Sequence, residues 1–374
     1  MPELSATGPG TTVSLLVDPA MLVRTFAIRL SGLVSLRLAV AVAVYAVLIV
    51  YAARHVADAE RPIAWLALLT IPLAVVRPAV AMILGALILR VAFVGFTPTD
   101  PIDNAHYAFD RAFSGQNPYA GHVYPNGTAY VYGPLGLVSY QLGIPGEILA
   151  SLGTSIILAH QRAWVTLGLF SSFPLLLFTA STGANDHSPT FLLVAALVLM
   201  RSHGKTGAAL LACAAAVKPY ALAWALPAVG FGGLSVLAVW AITTALLWAP
   251  VLGWGPGSFI KSVQSVQGDW AATGQLHASW GLNIPVLSWL ALPIAFGSLF
   301  VHSWRGMALI GASVFAVFLG FGAWANVANL VPLVAVVGLA LEVRNGEERW
   351  RLWRSHDSSG DVRIRPATGP RPGS

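Results

Sequence analysis

Ten apolar runs, at 36–53, 62–76, 79–97, 136–158, 163–180, 188–201, 234–251, 283–302, 306–322 and 327–342, leave little of this chain for anything else. Their lengths approach the roughly 20 residues with which a helix crosses a bilayer. Charged residues make up only 10% of the 374 and hydrophobic ones 56%, against about 25% charged in an ordinary soluble domain. Lipid is therefore the expected solvent. The reading is an all-α polytopic membrane protein of about ten to twelve transmembrane helices. It forms a single domain over 1–343, with an outer-face loop that carries a short interfacial helix. The remaining 344–374 hold seven arginines against four acidic residues, with Gly, Pro and Ser. That tail is expected to be disordered, cytoplasmic and able to touch anionic lipid.

Several function classes drop out. Cys213 is the one cysteine, so there is neither a disulfide framework nor a thiol metal cluster. The basic pI of about 9.7 comes from short loops and the tail, the pattern of cytoplasmic loops, and no nucleic-acid partner is expected. Three lysines against eighteen arginines suggest a GC-rich genome, a compositional bias that carries no mechanism. Glu3 and Asp18 in the first twenty residues argue against a cleavable signal. The sequence has no Walker A, GxGxxG, HExxH or DxD pattern, and His106 and His122 are not at ligand spacing. No cofactor and no metal site is expected, with the need for a divalent ion left open.

Orientation follows from basic residues. Arg24, Arg29 and Arg37 precede the first run and place the N-terminus in the cytoplasm. Counting spans puts 97–134 outside, "AHQRA" inside, "TGANDHS" outside and "RSHGK" inside. The stretch 206–229, "TGAALLACAAAVKPYALAWALPAV", contains Lys218-Pro219. Proline removes a donor and pushes the residue before it out of helix. Two half-helices are expected to meet at Lys218, entering from inside and returning inside near "GFGG". A second outer loop then falls at 252–282, and both termini of this inner-membrane protein are cytoplasmic.

The outer segment "TPTDPIDNAHYAFDRAFSGQNPYAG" carries Asp100, Asp103 and Asp110 against Arg111. Ala105, Tyr107, Ala108, Ala112 and Phe113 recur at near-helical spacing up to a glycine stop. The following "PYAGHVYPNGTAYVYGPLG", with Tyr119, is either a solvated loop with an aromatic belt or the lining of a groove. Asn185, Asp186 and His187 either cap the helix that starts at 188 or face a substrate. Lys218 either snorkels to the headgroups or meets a phosphate, assisted by backbone N–H groups freed at the break. His277 and Trp280, with Lys261 and Trp270, suit a sugar or a lipid headgroup and equally suit an interfacial belt.

Taken in order, the acidic first outer loop, "SGQNPYAG", "YVYGPLG", "GANDHSPTFLLVAALVLM" and "AAAVKPYALAWALP" resemble the GT-C membrane glycosyltransferases. The likeness covers about 97–229 and is nearest to bacterial mannosyltransferases that use polyprenyl-phosphate mannose. It implies that Asp103, with Asp100 as the alternative, is the general base. It also implies an outer-face site holding a polyprenyl-phosphate sugar donor and a glycan or glycolipid acceptor. Lys218, Tyr220, Asn185, Asp186, His187, Tyr107, Tyr119, His277 and Trp280 are then the candidate phosphate- and substrate-binding residues.

The chemistry suits those residue types. A lipid phosphate leaves readily, an acceptor hydroxyl needs a base, and a cation stabilises the charge on the departing phosphate. Direct displacement inverts a β-linked donor to an α product. The competing readings are a lipid or sugar transporter, with charges along a path through both leaflets, and a non-catalytic scaffold.

Overall fold

The computed structural model describes residues 36–56, 59–94, 100–120, 129–272, 285–321 and 327–343. Those residues are almost all helix, with no strand among them. His277, Trp280 and the 344–374 tail lie outside them.

The chain runs α1 (Leu36–His55), α2 (Arg61–Leu66), α3 (Thr70–Val76), α4 (Pro78–Phe93), α5 (Asp100–Phe113), α6 (Gly136–Ser139) and α7 (Gly143–His160). It continues with α8 (Trp164–Ser172), α9 (Pro174–Ser181), α10 (His187–Met200), α11 (Gly204–Val217), a 3-10 segment (Pro219–Trp224) and α12 (Ala225–Trp254). Next come α13 (Pro256–Ala272), α14 (Pro285–Ser288), α15 (Ala291–Gly297), α16 (Trp304–Phe321) and α17 (Leu330–Glu342).

Proline sets the punctuation. Arg77, Phe173 and Lys218 each precede a proline, and each leaves helical geometry, with ψ of 68°, 118° and 118°. Each proline then opens the next element, where its missing N–H costs nothing. The run 163–180 is accordingly two helices bent by 57° at Phe173. Four stretches are long and apolar enough to cross a membrane, Leu36–His55, Gly136–His160, Pro219–Trp254 and Trp304–Phe321, or five if the bent pair counts as one. The other apolar helices have 10–17 residues, because breaks of this kind divide the runs that sequence treats as continuous.

The hairpin expected at Lys218 is present. α11 runs up to the break, and the 3-10 segment and the start of α12 return antiparallel, until Gly204 lies against Val236. Gly233, at φ 70° and ψ −162°, breaks α12 there, in a conformation that only glycine adopts cheaply. Large apolar side chains such as Val47, Leu234, Leu246 and Leu252 face outward. On a water-facing surface such a contiguous apolar area is untenable, which accords with an all-α membrane protein.

The end of the bundle opposite Lys218 is basic and closed by hydrogen bonds. Arg305 Nε donates to the Ala340 carbonyl at 2.8 Å, Arg37 to the Glu342 carbonyl at 3.1 Å, and Arg201 lies 5.0 Å over the Trp304 ring. The Glu342 carboxylate accepts from the Val165 and Thr166 backbone N–H groups and from the Thr166 hydroxyl. It thereby caps α8, whose own N-cap residue, Ala163, has no side chain able to do so. Replacing Glu342 by Ala is expected to cost about 1–3 kcal/mol of stability, read as a lower midpoint of thermal unfolding in detergent. A midpoint unchanged from wild type would show that water caps α8 equally well.

Candidate functional site

Two breaks in helix converge at the other end, and a loop links them. The first is at Lys218. Because the chain leaves helix at Lys218, ahead of Pro219, the last carbonyls of α11 lack their usual local partners. The loop at 129–135 supplies them: Gly133 N donates to the Val217 carbonyl at 3.1 Å and Leu135 N to the Ala216 carbonyl at 2.9 Å. A Cβ at position 133 would collide with the Ala216 backbone, so this approach demands glycine.

Aromatic packing fixes the loop. Tyr119, Tyr130, Tyr132 and Tyr140 form a chain of rings with centroids 5.3–5.6 Å apart. The Tyr119 hydroxyl donates to the Tyr132 carbonyl at 3.1 Å. Asn117 accepts from Tyr119 N and donates to the Trp254 carbonyl, while Ser262 of α13 donates to the Tyr119 carbonyl at 2.8 Å. "NPY" is therefore a staple holding the segment after α5 to the α12–α13 corner.

The second break is the turn before α10. Asn185 sits at φ 50°, a left-handed conformation that asparagine tolerates, and the Tyr140 hydroxyl donates to its carbonyl at 2.9 Å. Asp186 occupies the N-cap position of α10, yet its side chain caps nothing. Glu147, fully buried in α7, does so instead. It accepts from His187 N at 2.8 Å, Ser188 N at 3.3 Å and the Ser188 hydroxyl. The capping alternative for Asp186 is thus answered by a different carboxylate.

Asp186 is free to turn to Lys218. The ammonium donates to Asp186 Oδ1 at 2.8 Å and to Asn185 Oδ1 at 3.0 Å. It also lies 5.5 Å and 5.6 Å from the ring centroids of Tyr132 and Tyr220. Its side chain is 16% exposed and that of Asp186 1%, so Lys218 does not snorkel. Burial pushes the Asp186 carboxyl up from the ordinary carboxylate value, and the Lys218 ammonium opposes that push. Burial likewise raises the Tyr132 phenol, which keeps it a neutral donor.

Beside this pair lies a cavity of about 500 Å³. Lys218, Tyr132 and Tyr220 form its polar end, Asn329 also lines it, and Phe259, Leu226, Ala291, Val314, Phe315 and Phe318 are part of its apolar remainder. A polar head with one cation and an apolar body is the shape of a site for an amphipathic anion.

The other expected residues are placed as follows. Asp100 opens α5, and Asp103 is exposed on the face of that helix away from its buried Ile102, Ala105 and Ala108. Asp103 is not part of the cavity wall. Tyr107 is half-buried against the tyrosine chain. Phe113, expected on the apolar stripe, is 86% exposed and stacks on Phe109. Buried His187 is turned inward, its Nε2 3.1 Å from the Leu176 carbonyl and from Thr179 Oγ1. Asn185, Asp186, Lys218 and Tyr220 are thus brought together; Asp103, Tyr107 and His187 are not among them.

Sequence reasoning passed over Glu147 and Tyr132. Glu147 had a signal, a lone acid within an apolar run. Tyr132 had none beyond its place in an aromatic loop. Among the described residues no group of three or more His, Cys, Asp or Glu side chains stands ready for a metal ion. Compared with family models, curated proteins and solved structures, the chain matches none.

Removing one member of a buried pair strands the other charge. Asp186→Ala is expected to destabilise by about 3–5 kcal/mol, and Lys218→Met/Asp186→Ala by clearly less, compared by unfolding in one detergent. Additive losses would mean that the two side chains are not coupled.

Proposed function

We propose that this chain is an integral membrane glycosyltransferase of the GT-C type. It transfers a sugar, mannose by resemblance, from a polyprenyl-phosphate donor to a lipid-linked or cell-envelope glycan. The observation that carries the reading is Lys218, held by Asn185 and Asp186 at the polar end of an otherwise apolar cavity. An ammonium there suits the phosphate of the donor, and the apolar body suits the prenyl chain. In this reading the bundle makes about ten to twelve passes through the inner membrane of a bacterium. The basic end faces the cytoplasm and the Lys218 end faces outward, with α5 lying along the interface.

The reaction assigned to the site breaks the anomeric C–O bond to the phosphate and forms one to the acceptor hydroxyl, with inversion. Lys218 stabilises the charge that gathers on the leaving phosphate. Asp103, exposed one helix away, takes the proton of an acceptor that arrives from the aqueous side. Transport is the weaker reading. The buried Arg90 deeper in the bundle is engaged by its neighbours, donating to Ser151 Oγ and the Phe170 carbonyl.

The test uses purified protein in detergent with radiolabelled polyprenyl-phosphate mannose and envelope lipids. Wild type should transfer label. Lys218→Met should lower the rate by roughly 10²–10³-fold, and Asp103→Asn by roughly 10²–10⁴-fold. Equal rates for Asp103→Asn and wild type would move the base elsewhere. Wild-type protein that neither binds nor consumes the donor would overturn the proposal.

A further inference from the structure

The polar end of the cavity carries one cation, and two of its three donors are already engaged. A lysine ammonium has three protons to donate; one goes to Asn185 and one to Asp186. One remains for whatever occupies the cavity that Lys218 lines. The Asp186 carboxylate is held 2.8 Å from that ammonium and is 1% exposed, so water screens it poorly. The next charge, Glu147, spends its carboxylate on the N–H groups at the start of α10. The remaining polar groups at the head, Tyr132 and Tyr220, are neutral phenols. Among the described residues no second cation is on the cavity wall.

Building on the function proposed above, we infer that the site is selective by charge for a monoanionic phosphodiester over a dianionic phosphomonoester. One ammonium proton, with the Tyr132 and Tyr220 rings beside it, accommodates a single negative charge, the Tyr220 hydroxyl being directed at the Asp186 carbonyl at 3.4 Å. A second would stand against Asp186 at short range in a medium of low dielectric. The consequence concerns the order of events. A sugar-linked lipid phosphate is a diester and carries one charge. The lipid phosphate left after transfer is a monoester and carries nearly two above its second pKa of about 6. Cleavage of the sugar–phosphate bond thus converts a matched ligand into a mismatched one, and Asp186 promotes its departure.

Isothermal titration of the whole protein in detergent at pH 8 tests this with three probes: farnesyl phosphate, mannosyl farnesyl phosphodiester and phosphatidylglycerol. Wild type should bind the mannosyl diester at least about tenfold more tightly than farnesyl phosphate, as one additional charge near Asp186 requires. Asp186→Asn should reduce that ratio to about twofold, chiefly by tightening the monoester. Equal wild-type affinity for the two farnesyl compounds would overturn the charge selection and leave the transferase reading standing, and this outcome does not depend on the variant folding. Phosphatidylglycerol bound as tightly as the sugar diester would support the charge rule while turning the site over to bulk phospholipid. Binding of none of the three would overturn both.

Discussion

A proline cannot satisfy the carbonyls that a helix leaves behind it, and most of the site's architecture answers that single deficit. At Lys218–Pro219 the hairpin stops one turn short of capping itself. The loop at 129–135 donates to the exposed carbonyls of Ala216 and Val217, the tyrosine chain pins the loop, and the lysine at the break points sideways. A straight helix through this region would bury its own backbone groups and leave no reason for any of these contacts. The break creates both the need for the loop and the space beside it.

The second organising fact is an exchange of roles between two carboxylates. Asp186 stands where a helix cap is usually found, and Glu147, 39 positions earlier in sequence and buried in another helix, performs the capping. Burying Glu147 without partners would be prohibitive, and three donors at the start of α10 remove that cost. The arrangement leaves Asp186 to pair with Lys218, and so a helix-capping acid and a lysine-paired acid lie side by side.

Much of this was legible in the sequence. The pre-proline rule located the hairpin tip at Lys218, and apolar spacing located α5 with its glycine stop. The basic turns located one end of the bundle and the acidic loop the other. Local rules do not reach further. Nothing within ten residues of Glu147 announces that it will cap a helix starting at His187, because the partnership depends on how α7 and α10 pack. Phe113 misled because spacing alone does not separate a core-facing ring from one on the exposed side of the same helix. The count of crossings is similarly blurred, since a bend such as that at Phe173 leaves hydropathy untouched while dividing the helix.

The two hydrogen bonds from Gly133 and Leu135 to the tip of α11 join loop and hairpin as one body. An occupant that draws the ammonium of Lys218 toward itself therefore also pulls on the tyrosine chain. Through Tyr119 that pull reaches Trp254 and the start of α13. An occupant of the cavity is thereby coupled, through contacts already in place and without a hinge, to the corner between α12 and α13.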